Sequence, residues 1–176
     1  WDVETRQTIS ELTGHAHWIN QAAFSPDGQQ VITTSNDNTA RLWNAQTGQL
    51  LHELIGHDEW VTAATFSPNG DQAVTISGDA TARVWHTQTG QLLHTLSGHN
   101  RIIDSASFSP DGRRLFTVSI NDNTLRTWNL ETGEQLSVIS EQQFWTGDNA
   151  SFSADSRLMA VASAENSVQL WNVEAN

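Results

Sequence analysis

The chain has 176 residues, and 20 acidic against eight basic residues give it a formal net charge of −12 at pH 7. An acidic surface repels phosphate backbones, which argues against nucleic acid as a partner. The sequence has no cysteine, which excludes disulfides, thiol catalysis and thiolate metal sites. It has no signal-peptide pattern and no apolar run near the ~20 residues of a membrane-spanning helix. We therefore expect a cytoplasmic protein with no membrane partner.

The first 54 residues predict four short strands. Ile19 to Phe24 is apolar at its first, fourth and sixth positions, an offset from strict alternation that indicates a β-bulge. Pro26-Asp27-Gly28 follows with turn chemistry, because Pro fixes φ and Gly accepts a positive φ. β-branched and alternating stretches between polar turns predict three more strands, at residues 30–35, 39–43 and 50–54. No window has helical periodicity, so the predicted fold class is all-β.

Four sequence landmarks recur along the chain with a period of 42 or 43 residues. One is a tryptophan, at Trp1, Trp43, Trp85, Trp128 and Trp171. A Gly-His pair precedes the first strand of a unit, at residues 14–15, 56–57 and 98–99. A Phe-Ser-Pro-Asp/Asn-Gly turn and an Asp six residues before the tryptophan complete the pattern. The chain is therefore divided into four units, at residues 1–43, 44–85, 86–128 and 129–176, the last of them degenerate.

This period, with Gly-His early and Trp-Asp late, resembles the WD-repeat β-propeller family. The Trp-Asp dipeptide itself occurs only at Trp1-Asp2, and the fourth unit departs further from the pattern. Ser140-Glu141 stands near the expected Gly-His position, Glu165 replaces the hairpin Asp, and one residue is inserted before Phe152. The resemblance implies four-stranded antiparallel blades arranged around a central axis.

A histidine, a threonine and an aspartate in each of the first three units are the residue types of a catalytic triad. The resemblance implies instead a buried hydrogen-bonded tetrad that includes the tryptophan. The implied tetrads are His15-Thr33-Asp37-Trp43, His57-Thr75-Asp79-Trp85 and His99-Thr117-Asp122-Trp128. An enzyme needs one site, whereas a repeated unit needs its structural network in every copy. We therefore expect no catalytic residue, and Val161 stands at the hydroxyl position of the fourth unit.

Other candidate sites for a metal, a nucleotide or an anion are weak. His15 and His17 share one loop, but no third ligand is near them in sequence. His52 and His94 stand on predicted outer strands and are expected to face solvent. The glycines are isolated turn residues, which argues against a phosphate-binding loop. We expect no metal and no cofactor, and we assign the arginines two positions before the tryptophans to the strands.

The positions at which the sequence cuts the repeated units are compatible with three hypotheses for how the blades close into a ring. Residues 1–12 hold an orphan outer strand, and the last blade lacks its outer strand. The first reading is that the chain is part of a larger seven- or eight-blade ring. The second is a homodimer in which two four-blade halves close one eight-blade ring. A self-closed four-blade ring is the third.

The resemblance implies a non-catalytic scaffold or sensor module that binds a protein or peptide within a larger signalling or assembly protein. The alternatives are a self-assembling structural propeller and a propeller enzyme. In this family the loops with the Gly-His pair and the hairpin Asp lie on one rim. Partners are commonly held there by residues three and five after the His and just before the Asp.

Carried over by position, this rule predicts a partner-binding rim, with one further tryptophan as the equivalent in the fourth unit. The residues are Trp18, Asn20, Asn36, Trp60, Thr62, Gly78, Ile102, Asp104, Asn121 and Trp145. We expect Trp18 and Trp60 to be partly exposed, because the residue after each already supplies the core contact. The alternative is that these indoles plug the top of the core between blades.

Overall fold

The computed structural model describes residues 4–140, 150–153, 155, 157–163 and 167–172. The regular elements of this part of the chain are all β-strands. Most of them are six residues long, and they alternate with turns along the chain. They are β1 (Ile19–Phe24), β2 (Gln30–Ser35), β3 (Thr39–Asn44), β4 (Leu50–Ile55), β5 (Val61–Phe66), β6 (Gln72–Ser77), β7 (Thr81–His86), β8 (Leu92–Ser97), β9 (Ser105–Phe108), β10 (Arg114–Ser119), β11 (Thr124–Asn129), β12 (Gln135–Ser140), β13 (Ala150–Phe152), β14 (Leu158–Ser163) and β15 (Ser167–Asn172).

These strands form four antiparallel sheets in which each strand pairs with the next along the chain. Blade 1 is β1–β4, blade 2 is β5–β8, blade 3 is β9–β12, and blade 4 is the three strands β13–β15. The predicted bulge is present, because the pairing of β1 with β2 shifts register between Ile19 and Gln21. The equivalent shift in blade 2 falls between Val61 and Ala63. The all-β prediction and the prediction of four-stranded antiparallel blades are confirmed.

The turn between the first two strands of each blade forms as its residues predict. Gly28 has a φ of +70°, a conformation that a residue with a Cβ adopts only with strain. The Ser25 hydroxyl donates a hydrogen bond to the Asp27 carboxylate at 2.6 Å. The backbone N–H of Gln29 donates to the same carboxylate oxygen at 3.0 Å. This turn recurs in blades 2 and 3 and fixes the entry of each second strand.

The core lies between neighbouring blades. Ile32, Leu42 and Leu54 of blade 1 pack against Val61 and Phe66 of blade 2 in one buried cluster. Equivalent clusters join blade 2 to blade 3 and blade 3 to blade 4. Because a sheet buries its apolar face only against another layer, each blade depends on its neighbours for a core.

The predicted orphan outer strand is not a regular strand. Residues 4–12 have no strand assignment in the structure, because no described strand pairs with them. Their side chains nevertheless occupy the place of an outer strand. Ser10 and Leu12 lie against Gly48 of blade 1, as His52 of β4 lies against Gly90 of blade 2. The described residues include no helix long and apolar enough to cross a membrane.

Candidate functional site

Four side chains in blade 2 form a hydrogen-bonded chain from core to loop. The Trp85 indole Nε1–H donates to Thr75 Oγ1 at 2.9 Å, and Thr75 Oγ1 lies 2.8 Å from His57 Nε2. His57 Nδ1 lies 2.8 Å from Asp79 Oδ2. A carboxylate only accepts, so His57 Nδ1 carries the hydrogen and Nε2 accepts from the Thr75 hydroxyl. Every polar side-chain atom in this series of four residues has a hydrogen-bond partner.

The same chain of contacts occurs in blades 1 and 3. In blade 1 the three distances, from Trp43 to Thr33, Thr33 to His15 and His15 to Asp37, are all 2.8 Å. In blade 3 the corresponding distances through Thr117 and His99 are also all 2.8 Å. The structure thus brings together the twelve side chains that the resemblance to the WD-repeat family assigned to tetrads. The threonine hydroxyl of each tetrad is buried and accepts a hydrogen bond from the indole, so it does not face solvent.

The aspartate of each tetrad also ties two loops together. Asp79 Oδ1 accepts hydrogen bonds from the Thr81 hydroxyl at 2.7 Å and the Thr81 N–H at 2.9 Å. Its Oδ2 accepts a further bond from the backbone N–H of Asp58, next to His57, at 3.1 Å. The carboxylate therefore holds the Gly-His loop against the β6–β7 hairpin. This is a structural role, as three copies of the network indicate.

Burial and hydrogen bonding set the ionisation of the tetrads. Burial alone would raise the pKa of Asp79, but hydrogen bonds from Thr81 and His57 outweigh it and lower that pKa. The pKa values of Asp37 and Asp122 are lowered by the same balance. Burial is the largest influence on His57 and His99 and lowers their pKa values. At neutral pH the tetrads of blades 2 and 3 thus hold an anionic carboxylate beside a neutral imidazole.

Blade 4 has the strand framework without a described tetrad. Val161 pairs with Gln169 and Ala150, the register that Thr117 has with Arg126 and Ala106. The backbone register therefore places Val161 at the position of the tetrad threonine, and a valine has no hydroxyl. Ser140 is the last residue of β12. The predicted rim residue Trp145, with Glu141 and Glu165, lies outside the described residues.

The two rim tryptophans lie on neighbouring blades, and both are exposed. Trp18 is 77% exposed and Trp60 is 44% exposed. The Trp18 carbonyl accepts a hydrogen bond from the Asn36 N–H, and the Trp60 carbonyl accepts one from the Gly78 N–H. Each tryptophan loop thus borders the hairpin that carries the tetrad aspartate. Fully buried indoles, the alternative reading from the sequence, do not occur at these two positions.

The other predicted rim residues differ in whether their side chains are hydrogen-bonded within the protein. Asn20 Nδ2 donates to Asn36 Oδ1 at 2.8 Å and to the Val61 carbonyl of blade 2 at 2.9 Å. The half-buried Thr62 donates to the Ile76 carbonyl at 3.1 Å. The half-buried Asp104 accepts from the Ile120 N–H at 2.7 Å. These three side chains position loops, whereas Asn121 is exposed and Ile102 is half-buried.

A groove of about 700 Å³ opens on this rim between blades 2 and 3. We call it the blade 2–3 groove. Trp60 and Gly78 line its blade 2 side, and Ile102 and Asn121 line its blade 3 side. Four of the ten residues predicted for the partner-binding rim therefore meet in one concave surface.

Comparison with known proteins identifies the repeated unit. The family model described as WD domain, G-beta repeat matches residues 6–44, 48–86 and 90–129, which is more than half of the chain. The chain belongs to the WD-repeat family. The resemblance seen in the sequence is thereby confirmed, and the blades described above are WD-repeat blades.

Individual WD-repeat proteins match over about one unit. Human apoptotic protease-activating factor 1 is 38% identical over 42 residues, covering 24% of this chain and 3% of that protein. Nuclear distribution protein PAC1 of Arthroderma otae is 43% identical over 42 residues, 24% of this chain and 9% of that protein. Human WD repeat-containing protein 36 is 45% identical over 40 residues, 23% of this chain and 4% of that protein. The match thus spans a small part of these much longer relatives.

One contact in each of blades 1–3 could not be read from the sequence alone. The arginine two positions before the tetrad tryptophan lays its guanidinium across the glycine of the Gly-His pair. A Cβ on Gly98 would lie 2.7 Å from Arg126 Nη1, closer than real Cβ contacts allow. In blade 1 the same arginine, Arg41, also forms a salt bridge with Glu53 at 2.6 Å. The glycine thus lies in close contact with the arginine side chain.

The outer-strand histidines differ from the expectation that they face solvent. His52 and His94 are half-buried and lie against Gly90 and Gly133, in the turns of the following WD repeats. His52 Nε2 is 2.9 Å from the Gln88 carbonyl oxygen, so it donates across the junction. The expectation was wrong because an outer strand borders the next blade as well as solvent. Within the described residues, no three His, Cys, Asp or Glu side chains cluster as metal ligands.

Proposed function

We propose that this chain is a non-catalytic scaffold segment of a larger signalling or assembly protein, and that it binds a protein or peptide at the rim. WD repeats indicate a protein-interaction scaffold, and the relatives matched here are long proteins that carry such repeats. The observation that supports the rim is the exposure of two tryptophans on neighbouring blades. Tryptophan is enriched among residues that contribute most to interface affinity.

The surrounding structure supports this choice of surface. The rim loops are held by the tetrads and by backbone hydrogen bonds to the hairpins, so they are pre-organised for binding. Trp18 and Trp60 have an apolar ring with a polar N–H, which suits an interface that is part apolar and part wet. Exposed aromatic side chains grouped on one surface are typical of binding sites.

The test is a peptide selection with matched variants. A random peptide library is panned on the wild-type chain, and the selected peptides are measured on a Trp18→Ala, Trp60→Ala double variant. We expect binding to weaken at least about ten-fold, the loss of ~1.4 kcal/mol or more that a hot-spot residue causes. The control is a Leu50→Ala, Leu136→Ala double variant, which removes two exposed leucines from outer strands.

The control variant should keep the wild-type affinity, and both double variants should keep the wild-type melting temperature. Equal binding by the two double variants would contradict the proposed rim. Unfolding of the tryptophan variant would contradict it as well, because it would show that the indoles serve the core.

A second candidate function, self-assembly, is favoured by the two end faces of the described blades. Phe24 on blade 1 is 68% exposed, and Val168 and Leu170 on β15 are exposed as well. By their position relative to Trp171, these two residues correspond to Ala82 and Val84 of blade 2, which are buried against blade 3. Two copies packed face to face, each covering the other's open faces, would bury all of these side chains and form an eight-blade ring.

Light scattering tests self-assembly directly. A monodisperse species near twice 19.4 kDa that a Phe24→Ser change converts to a monomer would support the second candidate. A wild-type chain that stays monomeric at high concentration would contradict it and leave rim binding unaffected.

A further inference from the structure

The rim gap between blades 1 and 2 is closed by asparagine side chains. Asn38 Nδ2 donates to the Asp58 carbonyl of blade 2 at 3.1 Å. Asn36 Oδ1 accepts from Asn20 Nδ2, which also reaches the Val61 carbonyl of blade 2 at 2.9 Å. Three amide side chains of blade 1 thus fill and bridge the space beside the next blade.

The equivalent gap between blades 2 and 3 lacks all three of these amide side chains. Thr62 stands in place of Asn20 and donates to the Ile76 carbonyl of its own blade. Gly78 and Ala80 stand 42 residues after Asn36 and Asn38. Neither side chain can donate a hydrogen bond to blade 3, and the blade 2–3 groove occupies this place. The groove therefore exists because two asparagines are replaced by small residues.

Ala80 carries backbone strain at the edge of this groove. Its φ is +64°, whereas the same left-handed position in blades 1 and 3 is occupied by Asn38 and Asn123. Asparagine and glycine tolerate this conformation better than alanine. Strained residues cluster at binding and switch regions, so this outlier points to the groove as a functional surface.

Gly78 allows an indole and a carboxylate to meet at the mouth of the groove. A Cβ added to Gly78 would lie 3.0 Å from Trp60 Cε2 and 2.9 Å from Glu59 Oε2. The Trp60 ring therefore lies down over the glycine, which agrees with its lower exposure than that of Trp18. Among the described residues, the exposed Glu59 carboxylate forms no salt bridge.

An indole face beside an unpaired carboxylate is a site for a cation. A Lys or Arg side chain within about 6 Å of an indole is attracted to the ring face, and the adjacent carboxylate adds a charged hydrogen bond. The net charge of −12 attracts basic segments to this surface. On the opposite wall, the exposed Arg101 and Asn100 supply donors for the carbonyl groups of a peptide backbone.

We propose that the blade 2–3 groove binds an extended peptide segment by one basic side chain, stacked on Trp60 and paired with Glu59. The proposal rests on the proposed function, since it names the chemistry that the rim recognises. Arg101 limits the preference to one basic side chain, because a run of basic residues would place like charges together on the far wall.

The experiment uses a blocked glycine-serine peptide with one central arginine as the probe. It is titrated into the 15N-labelled chain, and the Trp60 indole N–H signal is followed by NMR. We expect that signal, and the side-chain amides of Asn100 and Asn121, to shift saturably. A peptide with citrulline in place of arginine has the same shape without the charge, and should shift them at least five-fold less at equal concentration.

Two variants locate the cation. Glu59→Gln should weaken the binding of the arginine peptide at least five-fold. Glu131→Gln, an equal charge change at an exposed turn, should leave that affinity unchanged. A Gly78→Asn, Ala80→Asn double variant restores the two hairpin asparagines of blade 1 and should abolish the shifts. The buried Trp85 indole signal reports folding in every variant, so loss of binding is separated from unfolding.

Equal shifts with arginine and citrulline, or no effect of Glu59→Gln, would overturn the cation site. If library peptides bind the rim through Trp18 and Trp60 but carry no basic residue, the cation site fails and the proposed function stands. If the tryptophan double variant keeps full peptide affinity, the proposed function itself fails.

Discussion

The same face of the first strand is open to solvent in blade 1 and covered by the preceding blade in blade 2. Phe24 and Phe66 stand 42 residues apart at the end of the first strand of their blades, yet Phe24 is 68% exposed and Phe66 is 8% exposed. Phe66 packs in one cluster with Ile32, Leu42 and Leu54 of the preceding blade. Apolar burial is therefore a property of the junction between two units, as expected for a repeat protein.

The polar network behaves differently in the same two blades. The tetrad of blade 1 has the same hydrogen-bond distances as that of blade 2, within 0.1 Å. Trp43 is as buried as Trp85, although the strand face of blade 1 is open. The tetrad thus forms within one blade, whereas the apolar cluster forms only where two blades pack against each other. The predictions below separate these two contributions.

The largest effect is expected from truncating the covered phenylalanine. Phe66→Ala should lower the free energy of unfolding by about 3 kcal/mol, because it leaves a cavity in the junction. The matched change Phe24→Ala should cost less than about 1 kcal/mol, since little of that ring is buried. Urea unfolding measures both values, and similar losses would contradict the assignment of burial to the junction.

The tetrad should contribute less than the junction. Asp79→Ala should cost about 1–3 kcal/mol, because it leaves the His57 N–H and two backbone donors without their acceptor. Glu165→Ala, at the corresponding position of the fourth unit in the sequence, should cost much less. Thermal melting compares the two, and equal shifts would show that the aspartate has no special role.

Acid should weaken the tetrads in two steps. His57 and His99 have lowered pKa values, so below about pH 6.5 the unfolded chain binds protons that the folded chain does not. Asp37, Asp79 and Asp122 also have lowered pKa values, and the same difference arises again below about pH 4. Stability must therefore fall as the pH falls. Melting temperatures from pH 8 to pH 3 should show this decline, with a shallower slope for Asp79→Ala below about pH 4, where the missing carboxylate would have bound its proton.

The smallest expected effect is a gain in stability at Ala80. Ala80→Gly removes left-handed strain of about 1–2 kcal/mol but adds entropy to the unfolded chain, leaving a net gain of about 0.5 kcal/mol. Ala40→Gly, in a strand with ordinary backbone angles, should destabilise instead. A loss of stability at both positions would mean that the strain at Ala80 is relieved by contacts with its surroundings.

The sequence was most informative where a feature is local and repeated. The strand order, the bulge after Ile19 and the turn at Gly28 follow from residue types within six positions, and all of them form. The repeat period led to the family before any coordinate was known. The resemblance to the family, in turn, placed the tetrads, whose members lie up to 29 residues apart in sequence.

What sequence reasoning missed depends on contacts between residues that are far apart along the chain. Nothing local shows that Arg126 lies across Gly98, or that His52 reaches the turn before Gly90. The blade 2–3 groove arises because Gly78 and Ala80 lack side chains that blade 1 uses against its neighbour. An alignment of the units with one another, rather than with the family pattern, would have shown that Gly78 and Ala80 replace the asparagines of blade 1.

The one-way donor order of the tetrad has a consequence for proton movement. Trp85 can only donate and the Asp79 carboxylate can only accept, so the hydrogens between them have a single allowed arrangement. A proton cannot pass along this chain and return, because no reversed arrangement exists. Its labile hydrogens can exchange with solvent only when the blade opens. The exchange rates of the indole hydrogens of Trp43, Trp85 and Trp128 therefore measure the opening of each blade.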